Sequence, residues 1–123
     1  MTERSWRHYR TEGGVFPVRE YLAGLDPEAR ALVLAAMKEA QLAGRSATRQ
    51  IKGEIREVRA TRSRARDQFR VLFAFEGQRD QIMLALAAFT KKTESTPASE
   101  IKRAERRLAD WRHRGAQQRN KGG

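Results

Sequence analysis

Four features of this sequence hold groups able to do chemistry: Glu57-Val58-Arg59, a lone Arg70, the run Phe89-Thr90-Lys91-Lys92-Thr93, and the basic set Lys52, Arg56, Arg62, Arg64 and Arg66. The chemistry they suit is work on a phosphodiester. Guanidinium and ammonium groups bind phosphate oxygens through charge-assisted hydrogen bonds, and they stabilise charge that develops in a transition state. Neighbouring like charges lower a lysine's affinity for its proton. A lysine so tuned can act as a general base near neutral pH, with no histidine needed. Each feature also has a plainer reading. Arg70 lies between Phe69 and Val71, with Leu72 and Ala74 on its own face. A charge there needs a partner or a ligand, and a salt bridge to Glu57 meets that need as well as a phosphate does. Lys91 and Lys92 also suit a gatekeeper role at the end of a hydrophobic strand. The loop Arg62-Ser63-Arg64-Ala65-Arg66, taken alone, reads as solvated. Taken together, adjacent antiparallel strands would bring Arg59, Arg70 and Lys91 or Lys92 onto one concave surface.

Composition removes other chemistries. There is no cysteine, which excludes disulfide frameworks, thiolate zinc sites and cysteine nucleophiles. His8 and His113 are the only histidines, so a His-rich metal site is excluded and a Ser-His-Asp triad is disfavoured. No metal and no cofactor is expected. Lys and Arg number 26 against 15 Asp and Glu, a formal charge of +11. The first 43 residues are balanced, and the excess falls in residues 44–79 and 91–123. Such a chain favours a polyanion or an acidic partner. No apolar run approaches the ~18 residues that a membrane helix requires. The first 20 residues show no secretory pattern, so the expected location is the cytoplasm and no membrane partner is expected.

The elements that must position these residues read as follows. Residues 5–11 suit a first strand. Pro17 opens a short helix with Val18, Tyr21 and Leu22 on its apolar face, and Gly24 would close it in a left-handed conformation. Asp26 is an N-cap with Pro27 at the first helical position. Ala29, Leu32, Val33, Ala36, Met37 and Ala40 then make one apolar stripe, ended by Gly44. Residues 54–61 read as a strand, where the opposite parity of Ile55 and Val58 suggests a bulge. Phe69, Val71, Phe73 and Phe75 alternate strictly. In residues 82–89, Ile82, Leu84, Leu86 and Ala88 point one way and Met83, Ala85, Ala87 and Phe89 the other, as in a strand covered on both faces. Thr96 as N-cap and Pro97 open a last helix with Ile101, Ala104, Leu108 and Trp111 along it. The expected fold is α+β: a small antiparallel β-sheet with an N-terminal helical hairpin and a C-terminal helix. Residues 1–113 form one domain, and 114–123 read as a disordered basic tail.

On these residues the chain resembles the RelE/ParE toxin superfamily of type II toxin–antitoxin systems, in its HigB-like, phage-derived branch. The likeness rests on residues 52–59 (KGEIREVR), Gln68-Phe69-Arg70-Val71, and Phe89 through Pro97, which is similar to a Phe-x-Lys-Lys-Thr-x-x-Thr-Pro signature followed by Glu100-Ile101-Lys102-Arg103-Ala104. The resemblance covers residues 5–112. It implies a RelE-like fold and a ribosome-dependent mRNA endonuclease. In that family the ribose 2′-OH attacks the adjacent phosphate without a metal, leaving a 2′,3′-cyclic phosphate and a 5′-OH. By the same likeness Arg59 and Arg70 would hold the scissile phosphate, and Lys91 or Lys92 would be the base or transition-state cation. Lys52, Arg56, Arg62, Arg64 and Arg66 would contact RNA. The implied partners are the ribosome and mRNA, and a cognate antitoxin of the helix-turn-helix kind, with operator DNA reached only through the antitoxin complex. Several superfamily members also use a tyrosine near the C-terminal strand, whereas Tyr9 and Tyr21 are N-terminal here, which leaves the general acid open among Arg and Lys. Two other readings compete: a ParE-like toxin that inhibits gyrase, and a non-catalytic basic RNA-binding protein.

Overall fold

The computed structural model describes residues 3–63, 66–91 and 96–122. Eight elements run in the order β1 (Ser5–His8), α1 (Pro17–Gly24), α2 (Pro27–Ala43), β2 (Arg49–Lys52), β3 (Ile55–Arg62), β4 (Asp67–Glu76), β5 (Ile82–Lys91) and α3 (Ala98–Gly122), with short 3-10 turns at Gly44–Ala47 and Gln78–Asp80. The strands form one open sheet in the order β1-β5-β4-β3-β2. This is the α+β fold expected, with two additions. β1 pairs parallel to β5, because the helical hairpin carries the chain across before the meander begins. β2 is an extra edge strand antiparallel to β3. Among the described residues no helix is long and apolar enough to cross a membrane.

Both faces of the sheet are covered. The hairpin α1–α2 lays Val18, Leu22, Ala29, Val33, Met37 and Ala40 on Val58, Phe69, Val71, Phe73, Phe75, Met83 and Ala85. On the other face α3 lays Ala104 and Leu108 on Tyr9, Ile55, Leu72, Ala74, Leu84, Leu86 and Ala87. Ile55 and Val58 therefore differ in parity because each serves a separate core, and β3 keeps regular register with β4 from Arg56 to Arg62. Register shifts lie instead on β2, between Gln50 and Lys52 opposite β3, and on β5. Leu72 pairs with Ala87 but Phe73 pairs with Ala85, leaving Leu86 as the additional residue. An additional residue inverts the alternation beyond it. Met83 and Ala85 face the hairpin, as does Ala88, while Leu84, Leu86, Ala87 and Phe89 face α3. The simple alternation read from residues 82–89 thus holds only up to Leu86. Arg107 of α3 donates to the Leu86 carbonyl at 2.7 Å, at the bulge itself.

Helix ends follow the sequence closely at α2. The Asp26 carboxylate accepts from the Ala29 N–H at 2.9 Å. Gly24 does not take the left-handed form, since the chain leaves α1 through Leu25 in extended conformation. Gly44 does, with φ of 72°. A Cβ there would stand 3.0 Å from the guanidinium of Arg4, which donates to the last carbonyls of α2 at Gln41 (2.9 Å) and Leu42 (3.0 Å). Gly44→Ala therefore combines backbone strain with a displaced cap. The expected cost is about 1–3 kcal/mol, read as a lower urea midpoint at unchanged slope. An unchanged midpoint contradicts the account.

α3 begins at Ala98 and continues to Gly122, past residue 113 where the composition reads as a frayed tail. Extending an existing helix costs little compared with nucleating one. Arg114 also ties this stretch to the Arg10 carbonyl and to Asp110, the latter at 2.7 Å. Tyr9 donates to Asp110 at 2.6 Å, and Arg112 grips Glu54 (2.8 Å) and Glu76 (2.9 Å). Three carboxyls are held below their usual range by such contacts. For Asp26 the causes are the Ala29 N–H and then Arg62; for Glu54, Arg112; for Asp110, the Tyr9 hydroxyl and then Arg114. A depressed folded-state pKa stabilises the fold above the unfolded value and loses that effect as pH falls through the folded one. The stability that these three carboxylates contribute should thus be flat above about pH 5 and decline below about pH 4. Asp26→Asn, which keeps the cap but not the charge, should flatten part of that decline in urea midpoints measured across pH.

Candidate active site

β3, β4 and β5 end together at one edge of the sheet, and register decides which side chains share a face there. Arg59 stands opposite Arg70 on β3 and β4. Arg70 stands opposite Phe89, and Gln68 opposite Lys91, on β4 and β5. Side chains at paired positions lie on the same face, so Glu57, Arg59, Gln68, Arg70 and Lys91 all lie on the α3 face. Lys91 reaches that face only because of the bulge at Leu86. Unbroken alternation from Met83 would have sent it to the hairpin side.

Glu57 and Arg70 are the two buried polar residues among the described side chains, at 1% and 0% exposure. One oxygen of Glu57 accepts from Arg59 Nε at 2.5 Å, and the other accepts from the Thr96 hydroxyl at 2.7 Å. Arg70 donates to Thr96 Oγ1 at 3.0 Å and to Gln68 Oε1 at 2.6 Å, and lies 3.8 Å from Glu57. The salt bridge to Glu57 considered from sequence is therefore present. Arg70 is enclosed and offers no open surface to a phosphate in this arrangement. Thr96, read from sequence as the cap of α3, spends its hydroxyl on this network and pins the start of α3 to the sheet. Arg59 is a quarter exposed at its side chain and Lys91 is half-buried. Among the described residues these two are the partly exposed cations of the site.

The wider basic set divides. Arg56 and Arg62 have the opposite parity to Arg59 and lie on the hairpin face. Arg62 is enclosed by carboxylates, with Asp26 at 2.9 Å, Asp67 at 2.8 Å and Glu28 at 3.4 Å, and they hold its guanidinium firmly charged. Arg56 donates Nε to the Thr48 hydroxyl at 2.8 Å. Lys52 is on the α3 face at the far end of β3, 3.7 Å from Glu105. Arg66 is exposed in the turn before β4, with φ of 56°. Arg64 and Lys92 lie outside the described residues. Among the described residues no group of three His, Cys, Asp or Glu stands together as a metal site would require.

Tyr21 is the residue whose place sequence order misjudges. α1 delivers it to the C-terminal end of β5, where its hydroxyl and that of Thr90 are 2.8 Å apart. Burial pushes its pKa up. Thr90 points to the hairpin face, however, so Tyr21 sits behind the sheet edge that carries Lys91 rather than beside it. Tyr9 is buried under α3 with Asp110.

The arrangement can grip an anion with Arg59, backed by a buried carboxylate, and carries Lys91 on the same face two strands away. A model of the family described as phage-derived protein Gp49-like matches residues 20–109, which include all three strands of the site and the first half of α3. No curated protein matches the chain.

Proposed function

The chain belongs to the Gp49-like phage-derived protein family, a RelE-like toxin family, and from that premise we propose that it is the toxin of a type II toxin–antitoxin system and cuts messenger RNA on the ribosome. The observation that carries this reading is the register that sets Arg59, Arg70 and Lys91 on one face of three neighbouring strand ends. A phosphodiester meets cations there, and cations are what its cleavage needs. Arg59 binds the non-bridging oxygens of the scissile phosphate. Arg70 acts through Thr96, Gln68 and Glu57 as a positioning residue, because it has no surface of its own to offer. Of the pair Lys91 and Lys92, one takes the proton of the ribose 2′-OH as that oxygen attacks phosphorus. The bond to the 5′ oxygen then breaks, the other lysine returns a proton to it, and the products are a 2′,3′-cyclic phosphate and a 5′-OH. The partners of this reading are the ribosome, mRNA and a helix-turn-helix antitoxin through which operator DNA is reached, and its place is the cytoplasm.

The test is to map mRNA 5′ ends after brief induction, beside a Lys91→Ala, Lys92→Ala variant. New in-frame ends that vanish in the variant are the expected result. Growth arrest with no new ends, accompanied by DNA damage and filamentation, would replace this reading with gyrase inhibition. Healthy cells would replace it with simple RNA binding.

A further inference from the structure

On the hairpin face, away from Arg59 and Lys91, a recess of about 180 Å³ opens between the end of α2 and the turn joining β2 to β3. Arg45, Arg56, Gln50 and Phe75 line it, with Gly53 and Glu54 at the turn. Arg45 lies over the Phe75 ring at 4.7 Å and is held from one side by Asp80, with Nε at 3.1 Å and an Nη at 3.0 Å. Arg56 spends Nε on Thr48. Its two Nη groups have no hydrogen-bond partner among the described residues, and they share the recess with a second guanidinium.

Two like charges facing one recess repel unless an anion joins them. Burial and the neighbouring Arg45 both make the charged form of Arg56 harder to hold, and Asp80, engaged by Arg45, offsets only part of that. Glu54 does not serve as that anion, because Arg112 takes both its oxygens at 2.8 and 2.9 Å. The guanidinium fork matches phosphate geometry, and two forks from different elements suit an oxyanion with several acceptor oxygens better than a single carboxylate. The exposed Arg49 on edge strand β2 pairs with Glu57 and so lies on the α3 face, across the sheet edge from this recess, which continues the positive strip around that edge. A continuous polyanion suits that strip better than an isolated acidic group.

We propose that Arg45 and Arg56 form a phosphate subsite for the RNA backbone, on the opposite face of the sheet from Arg59, so that a bound strand passes around the β2–β3 edge. The proposal rests on the reading of this protein as an RNA-directed toxin, but its test does not depend on cleavage. Binding of a fluorescent single-stranded oligouridine to the whole protein is followed by anisotropy across salt concentrations. Arg45→Gln and Arg56→Gln should each weaken binding about three- to tenfold at low salt. Each should also lower the slope of log K against log salt by about 0.7, the share of one single-strand phosphate. Arg56→Lys, which keeps the charge without the fork, should recover the slope and only part of the affinity. The Nε–H resonances of Arg45 and Arg56 should move on adding oligouridine, and should do so equally in a Lys91→Ala, Lys92→Ala protein. Unchanged affinity and slope in folded Gln variants overturns the subsite. So does movement of these resonances by an acidic peptide but not by oligouridine, which reassigns the recess to a protein partner. A protein that binds RNA through these arginines yet makes no cuts in cells would overturn the nuclease reading alone.

Discussion

Glu57→Ala should remove about 3–5 kcal/mol of folding stability, the cost of leaving a buried cation without its partner. Small domains have about 5–15 kcal/mol in total, so this one change should bring the protein close to unfolding. The size of the effect follows from burial. Glu57 and Arg70 side chains are fully enclosed, and no solvent is at hand to take over the role of the lost carboxylate. The Thr96 hydroxyl would lose its acceptor and Arg59 would lose its short Nε contact in the same step. Replacing both members of the pair, as in Glu57→Met with Arg70→Met, should recover much of the loss, since an apolar pair carries no desolvation cost. Urea denaturation of the two single variants and the double variant measures the coupling directly. A Glu57→Ala protein within about 1 kcal/mol of wild type would show that the carboxylate does not anchor this network.

Much of this architecture was legible from residue types. Asp26 and Pro27 open α2 as their chemistry demands, and the strict alternation of Phe69 to Phe75 marks β4. The pairing of Arg70 with Glu57 was one of two outcomes that a charge among apolar neighbours allows. Other features were hidden for physical reasons. β2 holds a single apolar side chain, Ile51, so no period could announce it; pairing to β3 makes it a strand. The bulge at Leu86 leaves no mark in a run where every residue is apolar. Yet that bulge decides which face Lys91 joins, and with it whether a cation cluster exists at all. The parity of Arg56 and Arg62 against Arg59 was visible in the sequence, but grouping residues by charge alone obscured it. Thr96 has the type of a helix cap, but α3 begins at Ala98, which leaves Thr96 one residue short of the cap position with its hydroxyl on the buried Glu57 carboxylate. Tyr21 is distant from β5 in sequence, and only the packing of α1 brings the two together.

The division of labour proposed for the sheet edge predicts two distinct kinetic losses. In single-turnover cleavage of mRNA on the ribosome, Lys91→Ala with Lys92→Ala should lower the rate at saturation by about 10²–10⁴-fold, the range of a lost general acid–base. The concentration giving half-maximal rate should hardly move, because proton transfer occurs only in the transition state. Arg59→Ala should lower the saturating rate by about 10²–10³-fold, as for a lost oxyanion donor. It should also raise the half-maximal concentration, because its guanidinium grips the phosphate before as well as during reaction. Arg59→Lys should recover little, since an ammonium lacks the planar fork that both Glu57 and a phosphate engage. Arg59 and Lys91 keep some exposure, so both variants should fold, whereas Glu57→Ala tests the scaffold beneath them. If the lysine variant and the arginine variant fail in the same kinetic parameter, the two groups share one role. A single cation site would then be doing work assigned here to two.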